Sequence, residues 1–138
     1  MKSRQFRSIL LAALLLAVME KRAGLRLYNQ DVYINVAGGL SLSEPAADLA
    51  VCMAVASSVR DIILPQDVSV MGEVGLAGEI RAISHLDRRI AEAQRLGFTR
   101  LVCPRDSVRK IHYVSGVELM PVDTVAQAMA VLGIRPLS

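Results

Sequence analysis

The chain has 138 residues, 53% of them hydrophobic, with 16 Lys and Arg against 13 Asp and Glu for a formal charge of +3. That length suits one domain able to bury about two thirds of its unfolded surface, and the apolar content excludes intrinsic disorder as a global description. Two cysteines, Cys52 and Cys103, are too few for a disulfide framework or a four-thiolate zinc site, and two histidines, His85 and His112, leave little for metal chemistry.

The N-terminus carries Lys2, Arg4 and Arg7 ahead of the apolar run Ile9 to Met19. This order imitates a secretory signal, but the run is about 16 Å long as a helix, short of a bilayer. Glu20, Lys21 and Arg22 follow where a small-residue cleavage site belongs. A buried helix stopped at Gly24 fits better, with Lys21 and Arg22 facing the negative end of its dipole. Because its apolar residues run all round, it is expected to pack on the domain and on something further, such as a neighbouring subunit. Residues 1–24 thus read as a helix leading into a domain of residues 25–138.

Asp31 to Ala37 alternates Val32, Ile34 and Val36 with Tyr33 and Asn35, the period of a strand with one core face. Gly38-Gly39 ends it. Pro45 suits the first turn of a helix capped by Ser43 or Glu44, and Ala46 to Ser57 is apolar on nearly every side, as in a central buried helix. Val68, Val70 and Val74 read as one strand, Gly75 and Gly78 as its turn, and Ile80 and Ile83 as the return of a hairpin. From Leu86 a helix puts Leu86, Ile90 and Ala93 on one stripe, with Leu96 near it and Gly97 as the stop. Arg100 to Cys103 reads as a strand closed by Pro104. Asp106 is the expected cap of a short helix to Lys110, Val117 to Met120 another strand, and Asp123 the expected cap of a last helix ending at Gly133. The fold class is therefore mixed α/β (α+β).

Catalytic motifs mostly fail. There is no Walker A sequence and no G-x-G-x-x-G. Gly72, Gly75 and Gly78 recur every three residues, but in a hairpin rather than at a strand-to-helix turn. His85 and His112 stand 27 positions apart with no ligand signature, and read as ordinary histidines. Cys52 and Cys103 fall where small apolar fillers sit, not in an exposed electropositive pocket.

Longer segments are more specific. Asp31–Gly39, the S-E-P-A-A-D-L-A run at Ser43–Ala50 and M-G-E-V-G-L-A-G-E-I-R at Met71–Arg81 resemble the C-terminal domain of the bacterial RadA (Sms) family, itself similar to the proteolytic domain of Lon. The resemblance continues through H-L-D-R-R-I-A-E-A at His85–Ala93 and L-G-F-T-R-L-V-C-P at Leu96–Pro104. It implies a Lon-like fold of the ribosomal protein S5 domain 2 type, with a mixed sheet and packed helices.

Active Lon proteases have a P-S-A-G sequence whose Ser is the nucleophile, and a Lys base in a G-x-K-E-K setting. Laid without gaps, P-S-A-G falls on Pro45-Ala46-Ala47-Asp48 and the Lys on Asp87. Neither Ala46 nor Asp87 can supply the missing hydroxyl or amine, so the resemblance implies no catalytic residues and no peptidase activity. Asp48 also adds negative charge where an oxyanion would develop. Ser43 lies nearby without a Lys or His in register.

The resemblance further implies a DNA repair and recombination parent: a DNA-dependent ATPase that forms a homo-hexamer, drives branch migration and works in the cytoplasm without a membrane. ATP, magnesium and zinc belong to parts of that parent absent here, so no cofactor and no metal are expected in this chain, which reads as a fragment. A recombinase partner stays open.

Charge distribution adds an independent argument. Residues 1–26 carry +5, residues 27–80 carry −6, residues 81–110 carry +5 and the remainder −1. Thirteen of the 16 basic residues are Arg, the planar donor suited to phosphate. In the third block, Arg81, Arg88 and Arg89 are the candidate DNA-binding residues: Arg81 follows the hairpin and has no evident local partner. The bland reading of the helix arginines is a solvated face in which Glu92 pairs with Arg88 and Arg95. The few aromatics argue against base stacking, so any DNA contact should be to the backbone, sequence-independent and salt-sensitive. Two readings compete, a DNA-binding oligomerisation domain and a purely structural pseudo-protease scaffold; a third, a serine peptidase domain with Ser43 as a displaced nucleophile, is the least expected.

Overall fold

The computed structural model describes residues 15–19, 21–23, 44–112 and 116–135. The expected strand at Asp31–Ala37, the cap candidate Ser43 and the stop at Gly24 lie outside them. Residues 15–19 and 21–22 are helical (α1). Leu15, Val18, Met19 and Ala23 are buried, so the described end of the apolar run packs in the protein core with Ala17 on its exposed side. No helix among the described residues is long and apolar enough to cross a membrane.

Pro45–Ala47 forms a single 3-10 turn that runs into α2 (Asp48–Val59). Pro45 pre-sets the first turn, where its missing N–H costs nothing. Glu44, one of the two expected residues, occupies the cap position, and its side chain makes no capping hydrogen bond. Leu49, Cys52, Met53 and Ala56 are buried on α2, and Val51 and Val59 pack on the same core from its flanks.

The expected single strand from Val68 to Val74 is two. β1 (Val68–Val70) pairs in parallel with a later strand, and Gly72 separates it from β2 (Glu73–Val74), which pairs antiparallel with β3 (Ile80–Arg81). The hairpin is therefore Glu73–Arg81, tighter than the sequence reading. Its turn closes through Gly78 N–H to the Gly75 carbonyl at 3.0 Å, with Gly78 at φ +82°, where a side chain would be strained.

α3 (Leu86–Arg95) is amphipathic as its spacing predicts. Leu86, Ile90 and Ala93 are each at most 3% exposed, and a fully buried Leu or Ile contributes roughly 1.5–3 kcal/mol. Leu96 lies past the helix end and is 60% exposed, not on the stripe. Gly97, at φ +96°, terminates the helix.

β4 (Arg100–Pro104) is the middle strand of a three-stranded parallel sheet in the order β1-β4-β5, where β5 is Glu118–Val122. Alternation sends Val102 to one side and Leu101 and Cys103 to the other. The first side meets the core of α1, α2 and α5 (Val125–Val131); the second meets α3. Both faces are covered, as a parallel sheet requires.

Two caps differ from expectation. α4 (Arg105–Val108) begins after Pro104 without a side-chain cap, and Asp106 sits in its first turn. α5 is capped by Thr124, whose hydroxyl accepts the Gln127 N–H at 3.1 Å, while the Asp123 carboxylate pairs with Arg105 at 3.0 Å instead. The mixed α/β class stands.

Candidate functional site

Three places carry the chemistry: the head of α2, the basic segment 81–110, and a cleft beside α3. At the head of α2, Ala46 is buried and its carbonyl accepts the Gly72 N–H at 3.0 Å, while Leu49 N–H donates to the Gly72 carbonyl at 3.0 Å. The turn is thus docked directly on the backbone at residue 72. A Cβ there would stand 2.9 Å from Ile80 Cγ2 and 3.3 Å from Leu49 Cδ2, which is why the chain needs glycine.

Asp48 is 4% exposed. Its Oδ2 accepts the Val74 N–H at 3.1 Å, and its Oδ1 has no hydrogen-bond partner. Burial pushes its carboxyl up to about 6, against the pull of the Val74 N–H and helped by the negative charge of Glu73. Asp48 therefore ties the start of α2 to the hairpin while holding a poorly solvated charge. The sequence places Asp48 beside the Lon nucleophile position but does not reveal its burial. Asp87 lies in the exposed first turn of α3.

The basic segment is largely neutralised in place. Six of its eight cations have carboxylate partners: Arg81 with Glu79 at 3.4 Å, Arg89 with Glu44 at 2.7 Å, Arg95 with Glu92, Arg100 with Asp67 at 2.9 Å, Arg105 with Asp123 and Arg109 with Asp106 at 3.3 Å. Arg100 grips Asp67 through both Nε and Nη2, and that hydrogen bonding, with Thr99 adding to it, holds the Asp67 carboxyl down at about 2. Arg88 and Lys110 have no ion-pair partner among the described residues.

The three candidate DNA-binding arginines thus differ. Arg88 is exposed on α3. Arg81 has the partner that the sequence did not suggest, though its side chain remains 58% exposed. Arg89 is committed: it also donates to the Ser84 carbonyl at 2.8 Å and is only 28% exposed. Glu92 pairs with Arg95 rather than bridging to Arg88.

The cleft, of about 680 Å³, lies between α3 and the segment after α4. It brings His85, Lys110 and His112 to one lining, together with Asp87 and Gln94. Sequence distance hid this meeting, since 27 positions separate the histidines. His85 adopts a left-handed backbone, φ 56° and ψ 44°, at the start of α3. No group of three or more His, Cys, Asp or Glu among the described residues is placed to hold a metal ion. Cys52 and Cys103 are buried, and burial pushes their thiols up to about 12 and about 11, so neither is a ready nucleophile.

Compared with known families, residues 8–132 match the Lon protease (S16) C-terminal proteolytic domain. The chain belongs to that family. Among curated proteins it is similar to DNA repair protein RadA: 48% identical over 120 residues to that of Aquifex aeolicus, covering 87% of this chain and 26% of the relative. RadA of Streptococcus pyogenes serotype M3 is 44% identical over 117 residues, covering 85% and 26%. RadA of Streptococcus pneumoniae is 44% identical over 118 residues, covering 86% and 28%. The chain spans about a quarter of the length of these relatives. The resemblance carried by the motifs at 43–50 and 71–104 is therefore to the Lon-like domain of RadA, as the sequence implies.

Proposed function

We propose that this chain is the non-proteolytic Lon-like domain of a RadA-type DNA repair ATPase, serving ring oligomerisation and sequence-independent contact with the DNA backbone in the cytoplasm. The observation that carries the DNA role is Arg88, an exposed guanidinium on α3 with no carboxylate partner among the described residues. Arg81 lies on β3, the element before α3 in the chain, with its side chain more than half exposed. Such cations suit phosphate oxygens and carry no base preference. The absence of peptidase chemistry rests on Ala46 at the nucleophile position and Asp87 at the base position: a buried methyl group has no atom to attack a carbonyl.

The test is DNA affinity of the double charge reversal Arg81→Glu/Arg88→Glu. A loss of about tenfold or more supports the reading, and unchanged affinity overturns its DNA part.

One observation favours the scaffold reading for part of the segment. Arg89 spans from α3 to Glu44, and its guanidinium is used within the fold. Arg89 is therefore assigned to the architecture, and DNA contact to Arg88 and Arg81.

A further inference from the structure

The cleft beside α3 has a lining that none of the roles above uses. Its lining combines the half-buried Ile83 and Ile111, over the buried Ile90, with exposed polar groups from two separate stretches of chain: His85, Asp87 and Gln94 from one, Lys110 and His112 from the other. The two stretches are pinned together. Ser107, 2% exposed, accepts the Ile83 N–H at 2.9 Å through its Oγ, so the wall at residue 83 is fastened to α4. The volume of about 680 Å³ lies within the range of small-molecule sites.

We propose that this cleft binds a nucleoside monophosphate group. Each part of such a ligand has a counterpart in the lining. A phosphomonoester carries close to two negative charges and suits the ammonium of Lys110, which has no ion-pair partner among the described residues, with the imidazoles of His85 and His112 as further donors. A planar base suits the apolar surface that Ile83 and Ile111 leave open. The Asp87 carboxylate, unfavourable to a bare anion, accepts hydrogen bonds from ring N–H or amino groups, and the Gln94 amide both donates and accepts. Inorganic phosphate alone leaves the apolar lining residues and Asp87 without a role. The ligand comes from one of two sources, a free nucleotide or the phosphorylated end of a strand. The proposal does not depend on the backbone contacts assigned to Arg81 and Arg88.

Calorimetric titration of the 138-residue chain with deoxyadenosine monophosphate tests it, with deoxyadenosine and inorganic phosphate as the two half-ligands. Saturable binding of the nucleotide, at least about tenfold tighter than either half, is expected, and Lys110→Ala/His112→Ala should weaken it by about tenfold or more. Lys110→Gln should weaken it in the same direction, and circular dichroism should show both variants folded, since Lys110 and His112 are exposed. Arg81→Gln/Arg88→Gln, at positions outside the lining, should weaken nucleotide binding far less than the Lys110 variants do, which separates failure of this site from failure of the DNA-backbone reading. Competition by a 5′-phosphorylated oligonucleotide but not by its 5′-hydroxyl form would assign the site to a strand end; competition by neither would assign it to the free nucleotide, and equal competition by both, which needs no terminal phosphate, would overturn the proposal. No saturable binding, binding no tighter than inorganic phosphate, or binding indifferent to both variants would overturn the proposal.

Discussion

Arg89 Nη1 donates to Glu44 Oε1 at 2.7 Å, joining residues 45 positions apart and fastening α3 to the chain just ahead of α2. The same guanidinium donates to the Ser84 carbonyl, so it also braces the approach to its own helix. Its neighbour Arg88 makes no ion pair among the described residues. Adjacent arginines on one helix thus have different work. Arg89→Ala should lower stability by about 1 kcal/mol in urea denaturation, while Arg88→Ala should change it by less than about 0.5 kcal/mol. Equal effects would contradict the division.

Asp48 predicts an unusual pH dependence. Its folded carboxyl titrates at about 6, above the ordinary 3.8, because burial disfavours the charge. The folded state therefore holds this proton more tightly than the unfolded chain. The contribution is fully present below about pH 4 and is lost as pH rises through about 6, amounting to about 2–3 kcal/mol by pH 8. Asp48→Asn should flatten this part of the stability profile between about pH 4 and 7. Urea midpoints measured across that range check it, and an unchanged profile in the variant would count against the assignment.

Two nearby glycines should respond differently to a methyl group. At Gly72 it meets Ile80 Cγ2 at 2.9 Å and Leu49 Cδ2 at 3.3 Å inside the core, so Gly72→Ala should cost about 1–3 kcal/mol. At Gly75 the obstacle is the Glu79 carboxylate, the far end of a flexible side chain. Gly75→Ala should cost distinctly less, and thermal melting of the two variants decides.

Thr124→Ala should destabilise by about 1 kcal/mol through loss of the hydroxyl that accepts the Gln127 N–H, whereas Asp123→Ala should spare that cap. Helical content and melting temperature report the difference.

What the sequence revealed follows from the range of the forces involved. The stripe Leu86, Ile90 and Ala93 was legible because a helix of 3.6-residue period must bury one face. The hairpin bounds were not, because Val68–Val70 and Glu73–Val74 share the same β-forming character. Only pairing with β4, 32 residues along the chain, assigns the first stretch to another sheet. Asp123 and Thr124 are both good cap residues, and the choice fell to Thr124 once Arg105 held the Asp123 carboxylate. In the candidate site, the sequence located a dense run of cations but not their partners. The Glu44–Arg89 pair and the meeting of His85 with Lys110 and His112 are products of tertiary folding, with no local signature.

The central claim, backbone contact with DNA through Arg88 and Arg81, is tested most directly by fluorescence anisotropy of labelled single-stranded DNA from about 50 to about 200 mM salt. The account predicts that the chain binds with an affinity falling steeply with salt, and that Arg81→Glu/Arg88→Glu weakens it about tenfold or more and makes the salt slope shallower by about 1–2. Identical affinity and identical slope for the two proteins would contradict it.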